Sequence, residues 1–149
     1  MVYTVGEMAK LLDLPASTLR YYDQKGLLPF VERTAGGIRR FTDKDYEWLR
    51  IILCLKKTGM PLKDIRSFVQ MAMQGDETIR ERLALIVKQR DAVRLQMAEL
   101  EKTMEILDFK CWYYETAAAA GTTQVPRQMP SEELPTRFQS VCRQLRREK

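Results

Sequence analysis

Histidine is absent from the 149 residues. That removes the commonest general base and metal ligand, and with it most hydrolase and zinc-enzyme readings. Cysteine is scarce. Cys54, Cys111 and Cys142 are odd in number and far apart, which argues against a disulfide scaffold and for a reducing, cytoplasmic setting. They form no close cluster of the kind an iron–sulfur centre needs. No apolar run is long enough to span a bilayer, and no charged-then-apolar signal segment opens the chain. Neither a membrane, a metal, a cofactor nor an enzymatic reaction is expected.

What is there is charge, unevenly placed. Residues 1–74 hold 12 Lys/Arg against 8 Asp/Glu, residues 75–116 hold 7 against 9, and residues 117–149 hold 6 against 3. A basic first half on a mildly acidic middle fits a protein whose first half meets a polyanion.

Thr4-Val5-Gly6-Glu7 has the form of a capping box. Val5, Met8, Leu11 and Leu12 recur at helical spacing, so a first helix is expected over Val5–Leu12. Pro15 disfavours helix at Leu14, and a second helix then starts at Pro15 or Ala16 and ends near Gly26. Two short helices so closely joined describe helix-turn-helix. Pro29 to Phe41 is expected to form a two-stranded wing with its turn at Ala35-Gly36-Gly37. Thr42 caps a further helix through Asp45. That helix is apolar nearly all round and is expected to be buried on most sides. Thr58-Gly59-Met60-Pro61 stops it, and Leu62, Ile65, Phe68 and Val69 mark another helix ending before Gly75.

Asp76 is the expected N-cap of the longest element. Ile79, Leu83, Ile86, Arg90, Val93, Met97, Leu100, Met104, Leu107 and Cys111 alternate spacings of four and three, which is the seam of a coiled coil roughly 48 Å long at 1.5 Å per residue. No matching apolar helix is evident downstream, so the seam is expected to be a homodimer interface. Arg90 is a charged seam residue of the kind that fixes register. With antiparallel helices centred near Leu95 it would face the partner's Leu100, and Cys111 would face the partner's Ile79. Residues 122–136, with three prolines and little apolar material, are expected to be a loose linker. Thr136 is the expected cap of a last short helix, followed by a solvated basic tail through Lys149.

The expected architecture is therefore mainly α. A winged helix-turn-helix DNA-binding head occupies 1–75, a dimerising coiled-coil helix 76–116, and a linker with a short C-terminal helix or tail 117–149. Early residues of the second helix in such a head reach base edges in the major groove. Ser17 and Thr18 are assigned to base contact, with Tyr21 a further candidate, and Arg20 with Tyr22 to the DNA backbone. Adjacent tyrosines point about 100° apart on a helix, so one of Tyr21 and Tyr22 is expected in the core, and which one is open. Arg33, Arg39 and Arg40 flank the wing turn and extend the footprint to flanking phosphates or the minor groove.

TLRYYDQKGLL followed by RTAGGIRRF, a buried helix and a long seam helix resembles the MerR family of bacterial transcription regulators over about residues 3 to 111. The resemblance implies phosphate contacts from Arg20, Tyr22, Arg33 and Arg39, with Gly37 shaping the wing turn. It implies an antiparallel coiled-coil dimer. It also implies promoter DNA with an overlong spacer, bent and untwisted so that RNA polymerase, acted on indirectly through the DNA, engages both elements. The sequence departs from the family at Ile38 and Phe41, where tyrosines are common. Cysteines are not placed as in the metal-responsive members, since none lies near Asp76 and Cys142 follows Cys111 by 31 residues.

IILCLKKTGMPLKDI resembles the thiol-bearing AdhR/NmlR-type branch, associated with aldehyde or electrophile stress. Arg50 and Lys57 share a helical stripe with Cys54 and favour its thiolate. The opposing reading is a small apolar filler in a buried helix. Trp112, Tyr113 and Tyr114 either line a pocket for an apolar or cationic compound or pack the end of the coiled coil onto the partner's DNA-binding head. An architectural DNA-bending protein with no effector is the competing function class, and the long dimer helix speaks against it.

Overall fold

The computed structural model describes residues 1–147, so the expected tail residues Glu148 and Lys149 lie outside the described residues. The chain divides into two compact units, Met1–Val93 and the remainder from Arg94 onward.

The first unit is the head. Helix α1 spans Val5–Leu11 and is opened by Thr4. The Thr4 hydroxyl accepts from the Glu7 N–H at 3.3 Å, while Glu7 Oε2 accepts from the Thr4 N–H at 2.7 Å. Two backbone donors without helical partners are thus satisfied reciprocally. Asp13 turns the chain with φ +53, and α2 follows over Ala16–Gln24. Strands β2 (Glu32–Arg33) and β3 (Arg39–Thr42) form the wing. Their turn closes through Thr34 N–H to Ile38 O and Gly37 N–H to Thr34 O, both 2.8 Å, with Gly37 at φ +79.

One strand was not expected. β1, Val2–Tyr3, pairs antiparallel with β3 and places that strand at the centre of a three-stranded sheet, Tyr3 opposite Phe41.

Helix α3 (Asp43–Lys57) begins in a second reciprocal cap, Thr42 with Asp45. Its burial corrects the expectation. Leu49, Ile52 and Leu55 are buried, but Ile51 is 42% exposed and Cys54 is also exposed. One face meets the core, where α4 (Leu62–Gln74), built on Ile65 and Val69, packs with it, and the face carrying Ile51 and Cys54 stays outside. The core joins these residues to Met8, Leu19, Leu27 and Phe41, all fully buried.

Asp76 does not cap the long helix. A 3-10 turn, Asp76–Thr78, intervenes after Gly75, and the Thr78 hydroxyl donates to the carbonyls of Met71 and Gly75. Helix α5 runs Ile79–Ala120 and stops at Gly121 with φ +72. Polar contacts fix its first turns to the head. Gln89 Nε2 donates to Thr58 O at 2.7 Å, Lys88 lies 3.5 Å from Asp64, and Arg82 donates to Gly75 O.

The second unit corrects the reading of 122–136 as a loose linker. It holds helix α6 (Gln124–Gln128) and a 3-10 turn at Ser131–Glu133, followed by α7 (Thr136–Arg147). Thr136 is the first residue of α7 rather than its cap. Phe109 of α5, Leu134, and Phe138, Val141 and Cys142 of α7 are buried together, with Trp112, Tyr113 and Met129 packed around them.

Candidate DNA-binding interface

Helix α2 sorts its residues by angle. Leu19 and Tyr22, three apart, face the core with 0% and 6% of their surface exposed. Ser17, Arg20, Tyr21 and Gln24 then fall on the opposite stripe and are exposed, and Thr18 is half-buried at its edge. This decides between the tyrosines. Tyr22 is the core residue, and burial pushes its phenol above the ordinary value, so it stays a protonated donor. Tyr21 is 43% exposed, with its ring 6.1 Å from Tyr22 and the Lys25 ammonium 5.6 Å from its centroid.

The wing stands beside this stripe. Arg33 and Arg39 are opposed across the β2–β3 ladder, as are Glu32 and Arg40. Both opposed arginines converge on Asp23 of α2. Arg33 Nη2 lies 2.6 Å from Asp23 Oδ2, and Arg39 Nε and Nη2 each lie 2.6 Å from the same oxygen. The carboxylate is only 13% exposed, against 49% for the Arg33 side chain and 19% for Arg39. Arg33 and Arg39 are therefore held by the protein itself, and sequence reasoning missed their partner. The available signal was an acid three residues after Arg20 on the half-buried flank of α2. Arg40 is exposed, Ile38 is 66% exposed at the turn, and Phe41 is wholly in the core.

The other candidate residues fall elsewhere. The α5 seam presents Ile79, Leu83, Ile86, Met97, Leu100, Met104 and Leu107, each 39–64% exposed. Val93 is half-buried and Cys111 is exposed. Arg90 donates to the adjacent Asp91 carboxylate at 3.1 Å. Trp112 and Tyr113 fill space instead of lining it. Trp112 stacks on Phe109 at 6.0 Å and lies 5.9 Å from Phe138, and Tyr113 leans on Phe109 at 6.4 Å. Tyr114, 61% exposed, meets only the edge of that cluster through Tyr113. No group of three or more metal-binding side chains occurs among the described residues, and no helix there is long and apolar enough to cross a membrane.

A helix whose polar stripe stands next to a basic two-stranded wing is the build of a winged helix-turn-helix DNA-binding protein. The family models agree with the geometry: residues 3–72 match the MerR HTH family regulatory protein and residues 46–108 match MerR, DNA binding. The chain belongs to the MerR family, whose members are DNA-binding transcription regulators and not enzymes.

Relatives are consistent with this. A Haemophilus influenzae HTH-type transcriptional regulator is 46% identical over 124 residues, covering 83% of this chain and 92% of its own. The Bacillus subtilis regulator AdhR is 31% identical over 86 residues, 58% of this chain and 61% of its own. Among solved structures, HiNmlR, a MerR family regulator lacking the sensor domain and bound to promoter DNA, is similar with TM-score 0.65 and 46% identity. That match covers 84% of this chain and 99% of HiNmlR.

Proposed function

We propose that the protein acts as a homodimer that binds and distorts promoter DNA. The observation that carries this is the shared surface of α2 and the wing, where the exposed stripe of one helix and the arginines of a hairpin are tied together through Asp23. Ser17, Thr18 and Tyr21 meet base edges in the major groove. Arg20 donates to phosphate, and Arg33, Arg39 and Arg40 carry the footprint to the flanking backbone, with Gly37 setting the wing turn. RNA polymerase is affected through the shape of the DNA, since bending and untwisting are read as energy. A cytoplasmic location follows from that task.

The dimer forms along α5. Seven seam residues with 39–64% of their surface exposed on one helix support burial against a second copy, since such stripes are stable only when covered. An antiparallel register about Leu95 pairs the ten seam residues completely: Ile79 with Cys111, Leu83 with Leu107, Ile86 with Met104, Arg90 with Leu100, and Val93 with Met97.

Cys54 is the effector site of this reading. Its exposure on a stripe with Arg50 and Lys57 supports reaction with aldehydes or other electrophiles, and AdhR is among the relatives. Footprinting on the chain's own upstream region tests the DNA role: one protected site between the polymerase elements is expected, and scattered or absent protection contradicts it. In the same assay Cys54→Ala abolishes the response to an aldehyde or diamide; an intact response removes Cys54 from the account.

A further inference from the structure

We propose that Asp23 is a positioning residue for DNA recognition: an acid on a DNA-facing surface whose task is to fix the wing relative to α2. The proposal rests on the DNA-reading role given above and names a residue that this role does not by itself require.

Arg33 and Arg39 are direct cross-strand partners. Like charges placed opposite each other on a ladder repel, so the two guanidiniums would splay if nothing lay between them. Asp23 Oδ2 receives both at 2.6 Å, which turns a repulsive pair into a three-charge cluster of net +1. The carboxylate sits on α2 and the arginines on β2 and β3, so the cluster fixes the spacing between two parts of the footprint. Charge-assisted bonds of this length are the strong ones, and at 13% exposure Asp23 is largely sheltered from screening. Arg33, at 49% side-chain exposure, stays accessible from outside the cluster.

Net charge and geometry predict opposite signs for one substitution. If only charge mattered, Asp23→Asn would remove a negative group next to phosphate and tighten binding to every duplex. If Asp23 positions the wing, Asp23→Asn weakens binding to the cognate duplex and leaves non-cognate binding unchanged or stronger, because backbone charge is intact and only registration is lost.

The experiment measures affinity across a salt series for two duplexes, one carrying the region upstream of the chain's own gene and one with that sequence scrambled. Asp23→Asn is expected to lose roughly tenfold on the first duplex, the order by which residues of one charge network are coupled, and nothing on the second. Asp23→Glu, which keeps the carboxylate, recovers cognate binding relative to Asp23→Asn. Unchanged or tighter cognate binding overturns the proposal, as does an equal loss on both duplexes. Should Asp23→Asn fail to fold, it is made in an Arg33→Gln background, where the opposed charge is gone. There the additional loss must again fall on the cognate duplex alone, and an equal loss on both overturns the proposal. If the wild-type chain does not distinguish the duplexes, the DNA-reading role itself is contradicted and the positioning role falls with it.

Discussion

An antiparallel α5 pair makes a sharp prediction about disulfide cross-linking. Cys111 is exposed on the seam and Ile79, 52% exposed, is its proposed neighbour across the dimer. The two positions are 32 residues apart on one continuous helix, which is about 48 Å at 1.5 Å per residue. In an antiparallel dimer the two Cys111 residues therefore lie at opposite ends of the seam, separated by about that distance. A disulfide requires Cα atoms within about 7 Å. A Cys54→Ala chain, freed of its other exposed thiol, must stay uncross-linked under a mild oxidant such as copper-phenanthroline. Adding Ile79→Cys brings the introduced thiol opposite the partner's Cys111 at both ends, so non-reducing electrophoresis must show a covalent dimer that thiol reductant dissolves. Efficient cross-linking of Cys54→Ala alone would mean parallel helices and would refute the register. No cross-link in either chain would contradict the proposed seam.

Three other perturbations probe the reading helix, the tail core and the N-terminal caps in turn. Arg20 is exposed on the reading stripe, so Arg20→Ala leaves the melting temperature unchanged but flattens the salt dependence by about 0.9 per lost contact; two contacts per dimer correspond to a roughly 12-fold narrowing of the affinity gap between 50 and 200 mM salt on that slope, and an unaltered slope removes Arg20 from phosphate contact. Phe138→Ala empties the centre of the tail core, where Phe109 lies 5.8 Å away, at a cost of about 3–5 kcal/mol; hydrogen exchange must rise across α6 and α7 while the amides of α1 to α4 stay protected, and equal deprotection of the head would contradict separate cores. Acid weakens the head through Glu7, lowered by the Thr4 N–H and then the Thr4 hydroxyl, and through Asp43, lowered by the N-terminal ammonium and then the Tyr3 hydroxyl. Because both folded values lie below the unfolded ones, their contribution is complete above the ordinary carboxylate range near pH 4 and is lost as pH falls through the lowered values. Glu7→Gln with Asp43→Asn should flatten thermal stability in that window, and an unchanged pH profile would deny these bonds a role.

Local chemistry was legible in the sequence where a signal lay within four residues. Thr4 with Glu7 and Thr42 with Asp45 announce their capping boxes because each bond pair closes over three residues. Gly37 marks the wing turn for the same reason. The long helix α5 was legible because its apolar period persists over many turns. Contacts between distant residues were not. Nothing near Asp23 shows that two arginines ten and sixteen residues later return to it. A two-residue strand such as β1 has no period to detect, so its pairing with β3 becomes visible only in the fold. In the tail, Pro126, Met129 and Leu134 are spaced too irregularly among polar residues to declare the packing that the structure gives them. The α3 sequence overstated burial, since an apolar residue such as Ile51 can face outward where no element covers it. That outward face carries Cys54.

The central claim is that two copies of this chain grip one duplex. Sedimentation velocity of the protein with a duplex carrying its own upstream region, at micromolar concentration and moderate salt, tests it most directly. Free protein at twice the 17.4 kDa chain mass and a complex containing two chains per duplex are expected. A species at the single-chain mass, or one chain bound per duplex, would contradict it.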